Sequence, residues 1–280
     1  MLFNFKFLTI NRFGQGLEAD YKHAYGDMDT SYGGFVNWMG RLALENIANS
    51  DGLYHDVEHT MLVTTVGQQI LIGKHLVEGG VSSREWAHFI AALLCHDIGY
   101  VRGVCKLDGD GVYATGIGDE TIELPPGSTD AAMTPYHVDR SKQFVRERFD
   151  GEIQLDIDPD LITSYIEMTR FPPPDKPEYK VTNTYAGLLR AADFIGQLGD
   201  PDYLRKIPAL YYEFEQFGAN EPLGYKSPAD MRKGYGGFYW NVVSPYIKEA
   251  VGYLEVTHDG KQWVSNLHSH VFRVENVERL

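Results

Sequence analysis

Between Leu53 and Tyr100 the chain sets four metal-capable side chains at the ends of long apolar segments, and no other stretch restricts the fold as strongly. Tyr54-His55-Asp56-Val57-Glu58-His59 opens it, and Ala91-Ala92-Leu93-Leu94-Cys95-His96-Asp97-Ile98-Gly99-Tyr100 closes it. His55 and His59 stand four apart, a spacing that on a helix puts both on one face, and Leu62 and Val66 continue that face. Two imidazoles heading an apolar stripe are expected at the edge of a core, where they need partners.

The candidate partner is His96-Asp97, at the end of the apolar segment Trp86 to Leu94. Neutral imidazole and carboxylate suit a divalent transition ion, and an Asp can bridge two such ions. A buried Asp beside a buried His is costly without a metal or hydrogen-bonded partners. The plain alternative is a His at a helix C-terminus followed by a capping Asp. The upstream His pair, the Ala-Ala-Leu-Leu lead and the stop at Gly99 favour the metal.

His59, His96-Asp97 and a later Asp on a helix resemble the pattern of the HD superfamily of metal-dependent phosphohydrolases, across roughly residues 35–215. The opening Tyr54-His55-x-x-x-His59 is also similar to the start of the metal site in the cyclic-nucleotide phosphodiesterases of that superfamily. The resemblance implies an all-α helical bundle whose fourth ligand is an Asp on a late helix. Asp193, in Leu188-Leu189-Arg190-Ala191-Ala192-Asp193-Phe194-Ile195-Gly196-Gln197, is the candidate, because Ala191, Ala192 and Gly196 allow close helix approach around a carboxylate. His59, His96, Asp97 and Asp193 would then hold a divalent ion (Mn, Fe, Co, Ni, Zn or Mg), which lowers the pKa of bound water from about 16 toward about 7.

By the same resemblance, His55 is the general acid to the departing oxygen and Asp97 a catalytic as well as ligating residue. The alternative for His55 is a histidine that orients a ligand or water. His137 stands where two-metal members place an extra His, so it is a candidate for a second ion or for substrate phosphate. The matching place on the next helix reads Ile166-Glu167-Met168-Thr169, with no His, which leaves one ion or two open. Arg190 and Gln197, at −3 and +4 from Asp193, are weaker candidates for substrate binding. The implied activity is hydrolysis of a small phosphate ester, a nucleotide or cyclic nucleotide phosphodiester first, with monoesters open. The alternative is a nucleotide-sensing or partner-binding module without turnover.

Charge narrows the partners. A net charge of −14 repels polyanions, so broad nucleic-acid binding is not expected, whereas a small phosphorylated substrate can be drawn to a local cationic centre. No run of 18 apolar residues occurs and the N-terminus lacks a signal-peptide pattern, so no membrane span is expected. Only Cys95 and Cys105 are present, with Cys95 read as a core thiol in a cytoplasmic protein. A homo-oligomer is left open.

Along the chain, residues 1–34 read as an irregular arm and 216–280 as a C-terminal extension, both packed on the 35–215 core of one domain. Helices are predicted over 34–49, 55–78 and, after a Ser82-Ser83-Arg84-Glu85 capping box, up to His96-Asp97. Residues 101–135 form a Gly-rich insertion with a small hairpin around 111–115, either a lid over the site or a surface excursion. Further helices are predicted over 137–149, 161–169 behind the Asp158-Pro159 cap, 184–198 capped by Asn183, from Asp200-Pro201 to Phe217, from Ser227-Pro228, and over 238–256. A short strand pair is predicted around Asp259-Gly260. His88 reads as a satisfied core histidine, His75 as a surface one, and His258, His268 and His270 as a weak metal cluster. Lys106, Arg140 and Lys142 are further anion-binding candidates.

Overall fold

Asn4 caps the first helix, its side chain accepting from Phe7 N, and α1 runs over Phe5–Tyr25. The computed structural model describes residues 4–26, 31–150 and 156–277. Positions 1–3 and 27–30 of the expected irregular arm, and 278–280 of the expected extension, lie outside the described residues. The rest of the arm is helical, contrary to the sequence reading. Ile10, Gly14, Leu17 and Tyr21 bury one face of α1, where Gly14 is a packing contact. A Cβ there would come within 2.6 Å of Asn37 Oδ1 on the neighbouring helix.

That neighbour is α2, Ser31–Ile47, starting slightly ahead of its prediction. Next come α3, Val57–Glu78, stopped by Gly79, and α4, Ser83–Cys95. The predicted capping box is present: Ser82 Oγ accepts from Glu85 N at 3.2 Å, and Glu85 Oε2 accepts from Ser82 N at 2.8 Å. Helix α3 begins at Val57 because Asp56 is its N-cap, accepting from His59 N at 3.0 Å. Tyr54 and His55 therefore precede the helix, which corrects the expectation that His55 and His59 share a helical face.

After α4, His96 and Asp97 lead into a 3-10 turn, Ile98–Tyr100. The insertion then forms β1, Val112–Ala114, paired antiparallel with β2, Thr121–Glu123, in the register Tyr113 to Ile122. Helix α5, His137–Phe149, follows as predicted, and α6, Pro159–Ile166, starts behind its Asp158 cap. A 3-10 turn, Glu167–Thr169, leads on to α7, Tyr185–Leu198, capped by Thr184 in place of Asn183. Helix α8, Tyr203–Gln216, begins three residues after Asp200.

The C-terminal region departs twice from expectation. The helix predicted from Ser227-Pro228 is α9, Pro228–Phe238, whereas the one predicted over 238–256 is two pieces, a π-helical turn over Tyr239–Val243 and α10, Ser244–Leu254. The predicted strand pair is instead α11, His258–Phe272, capped by Thr257. Gly260 belongs to its first turn, where a Cβ would lie 2.2 Å from Leu254 O. Glycine serves close approach to the end of α10 there, and no hairpin turn forms.

The architecture is all-α apart from one small hairpin. Helix α3 packs against α4, α7, α10 and α11, while α2 joins α1 to α4. One connected set of buried side chains extends from Leu17 to Val274, beyond both ends of the expected 35–215 core. Gly196 fits α7 against α3 so closely that a Cβ would meet Val63 Cα at 2.7 Å. Among the described residues no helix is long and apolar enough to cross a membrane.

Candidate metal centre

Four segments converge where α3 begins, α4 ends, α5 begins and α7 passes. His59 lies in the first turn of α3, its position set by the Asp56 cap. His96 and Asp97 follow α4, and Ser141 of α5 pins that junction, accepting from Gly99 N at 2.9 Å and donating to His96 O at 2.7 Å. Gly99 permits the fit, since a Cβ would stand 2.0 Å from His137 O.

Asp97 Oδ2 lies 3.2 Å from His59 Nε2 and 3.1 Å from His96 Nε2. Asp193 Oδ1 stands 3.7 Å and 3.5 Å from the same two nitrogens. Donors bound at about 2.1 Å to one ion are about 3.0 to 3.4 Å apart, so these separations are close to the edges of a coordination polyhedron. His59 Nε2, His96 Nε2 and Asp97 Oδ2 are buried and make no hydrogen bond. Three converging, unsatisfied polar atoms in a core are costly unless a cation joins them.

The surroundings prepare the nitrogens for that role. His96 Nδ1 donates to Leu93 O at 2.7 Å, which leaves the Nε2 lone pair facing the cluster. Burial opposes charging His96, but Asp97 and Asp193 outweigh it and push its pKa well above the ordinary value. Burial likewise opposes ionising Asp97, yet His96 and His59 bring it well below the usual carboxylate range. His59, His96, Asp97 and Asp193 fit a divalent ion by donor type, convergence and lack of other partners.

His137 points its Nε2 at the other carboxylate oxygen, 3.9 Å from Asp97 Oδ1. Its Nδ1 donates to Thr134 O at 2.6 Å, and burial lowers its pKa, which keeps it neutral. Asp97 consequently presents one oxygen to His59 and His96 and the other to His137.

His55 reaches the cluster from the loop before α3, with its ring centroid 5.4 Å from that of His59. Its Nδ1 lies 2.5 Å from Oε2 of Glu213, a buried carboxylate on α8. Glu213 Oε1 also accepts from Tyr54 N at 2.7 Å, so one side chain fixes both the loop and the ring. Burial lowers the His55 pKa, but Glu213, with Asp97 and Asp193, more than reverses this and pushes it up to about 9. The rim is more open than the floor: the side chains of Asp193, His55 and His137 are 19%, 15% and 12% exposed, whereas His96 is fully enclosed. A cleft of about 320 Å³ runs beside Glu213, lined by Leu53, Thr129, Tyr212, Glu215 and Gln216.

The sequence analysis does not include Glu213 among the residues of the centre. A signal for Glu213 existed, because it is an acidic residue on the buried stripe of α8 that includes Ile207 and Leu210. Arg190 is a correction. It is buried, donates to Tyr179 O at 2.6 Å and Val181 O at 3.2 Å, and stacks on Tyr246, so it is a wall residue with no access to substrate. Gln197 is half-buried and donates to the Tyr203 hydroxyl at 3.4 Å.

Arg140 is fully buried and Lys142 is paired with Asp139 and Glu167, so neither is a free anion contact. His88 is satisfied as expected, donating to Arg84 O and accepting from Asp158 N. His75 is exposed. His258 and His268 are exposed while His270 is buried against Leu198 O, so the weak C-terminal cluster does not form. The insertion is tied down by Arg102, which binds Asp51 and Asp130, and by Arg140. A second cleft, of about 380 Å³ and lined by Lys106, Gly116, Gln143 and Arg146, holds none of the residues of the centre.

No curated protein matches this chain. The match comes from a family model described as Npun_R2479-like, which covers residues 3–277, and the chain belongs to that family.

Proposed function

We propose that this protein is a metal-dependent phosphohydrolase of the HD type, acting on a small phosphate ester, with nucleotide or cyclic nucleotide phosphodiesters as the preferred class. The observation that carries the reading is the convergence of His59 Nε2, His96 Nε2 and Asp97 Oδ2, buried and unsatisfied, beneath Asp193 and beside the His55–Glu213 pair.

A divalent ion held by His59, His96, Asp97 and Asp193 would supply acidified water and neutralise charge on phosphoryl oxygens. His55 supplies the proton. Glu213 keeps its ring oriented through Nδ1 and keeps it protonated at neutral pH, so the proton on Nε2 is available to a departing oxygen. His96 and His137, each anchored by a backbone carbonyl at Nδ1, hold their other nitrogens toward the two oxygens of Asp97. Whether His137 meets a second ion or the substrate phosphate follows from the metal stoichiometry.

The test is metal analysis of the purified chain joined to a panel of phosphomonoesters, phosphodiesters and cyclic nucleotides with added Mn, Co, Ni or Mg. Turnover of at least one ester is expected, and His55→Ala should keep the metal while lowering kcat by on the order of 10². The loss should be largest for poor leaving groups. Metal binding with no ester hydrolysed under any ion would overturn the hydrolase reading in favour of a nucleotide-sensing or partner-binding module.

A further inference from the structure

Tyr100 occupies an unusual place for a core tyrosine. Its ring lies between two histidines of the centre, stacked on His55 at 4.5 Å with 14° between planes and on His137 at 4.3 Å with 17°. Both aromatic faces are therefore spent on polar rings, and only 4% of the residue is exposed. On the far side of the ring the Thr134 carbonyl takes the Nδ1 proton of His137 at 2.6 Å.

Tyr100 is also coupled to the ligands through the backbone. Its N–H donates to Asp97 O at 3.1 Å, closing the 3-10 turn that Ser141 secures at Gly99. Asp97 and the ring that separates the two histidines are thus set by a single turn. Glu213 takes the His55 backbone N–H at 3.3 Å but meets its ring only at Nδ1, and Thr134 meets the His137 ring only at Nδ1, so these bonds alone leave each imidazole free to swing. The flat face of Tyr100 removes this freedom from both.

We propose that Tyr100 is a positioning residue, a spacer ring that locks His55 and His137 at a fixed separation on the rim of the metal centre. Its kinetic consequence rests on the hydrolase reading, whereas the mechanical coupling of the two histidines does not. Displacing a reacting group by about 1 Å costs up to roughly a hundredfold in rate, so the lock matters to a proton donor.

The experiment compares the full chain with Tyr100→Phe, Tyr100→Leu and Tyr100→Met, using ¹⁵N-histidine labelling and imidazole ¹H–¹⁵N correlation spectra of metal-free protein. His55→Gln and His137→Gln identify the two signals. Stacked imidazole protons carry the ring-current shift of Tyr100, so both signals should move together toward ordinary histidine positions in the Leu and Met variants and stay in place in Phe. On any ester that the wild type hydrolyses, Leu should lower kcat by on the order of tenfold to a hundredfold with KM unchanged, and Phe should restore it. Either histidine keeping its position in the Leu and Met variants, or Phe moving both as far as Leu does, overturns the proposal. A wild type inactive on every ester defeats the hydrolase reading and leaves the spectra to decide the spacer.

Discussion

Two clusters of buried charge lie close together in this chain and end differently. Beneath the insertion, Arg140 of α5 donates Nε to Gly99 O at 2.6 Å, one terminal nitrogen to Asp108 and Ala114 O, and the other to Asp108 and Val101 O. Asp108 in turn accepts from Gly103 N, Cys105 N and Ala114 N. Every strong donor and acceptor there has a protein partner. In the His59–His96–Asp97 cluster, the three inward atoms face only one another and make no hydrogen bond. A buried ion pair that closes on itself holds backbone in place, whereas one left open toward a common point is arranged for something the chain does not contain.

Breaking the closed cluster should give the largest change in stability. Arg140→Ala strands a buried Asp108 and should cost about 3–5 kcal/mol in denaturant unfolding. Pairing Arg140→Met with Asp108→Leu should recover most of that loss, since removing both charges together leaves no unpaired ion. A small cost for Arg140→Ala alone would mean that water reaches the cluster and the contrast fails.

Filling the open cluster should have the opposite effect. A divalent ion at a hundred times its Kd should stabilise the wild type by about 2.7 kcal/mol in thermal or chemical unfolding, with no gain for Asp97→Ala.

The rim is a finer probe. Glu213→Gln keeps an acceptor for Tyr54 N but loses the charge that raises the His55 pKa. Turnover should fall by about tenfold, and the basic limb of the pH–rate profile should move to lower pH. An unmoved limb would detach His55 from the proton transfer.

The smallest effect belongs to a third, closed network. Burial raises the Glu167 pKa, but hydrogen bonds from Arg170, Lys142 and Tyr179 outweigh it and bring it down to about 2. A carboxylate depressed in the folded state contributes stability that is complete above its unfolded pKa of about 4.5 and is lost as pH falls toward about 2. Denaturation midpoints of wild type and Glu167→Gln should therefore converge as pH drops through that range.

The sequence carried the centre better than its frame. His59 and His96-Asp97 are legible because polar residues at the ends of apolar runs stand out, whereas Asp193 comes from the resemblance to the HD pattern, with Gly196 marking the close helix approach beside it. Helix caps such as Ser82-Glu85 and Asp158 were equally legible, since their chemistry is local. What escaped was set by distant partners. Residues 1–34 read as an irregular arm and Asp259-Gly260 as the turn of a strand pair because the groups that Gly14 and Gly260 approach, on Asn37 and Leu254, are supplied by other helices. Arg190 read as a substrate contact because nothing nearby in sequence reveals that Tyr246 will cover it. His55 falls off the α3 face because Asp56, three residues before His59, caps the helix and starts it at Val57.

The central claim is that the open cluster is a metal centre, and metal content tests it most directly. Wild type and Asp97→Ala are dialysed to equilibrium against Mn, Co, Ni, Zn or Mg and analysed for bound metal, with circular dichroism confirming that both are folded. At least one ion per chain is predicted in the wild type and none in Asp97→Ala. A wild type that binds no divalent ion, or an Asp97→Ala variant that binds as much as the wild type, would contradict the account.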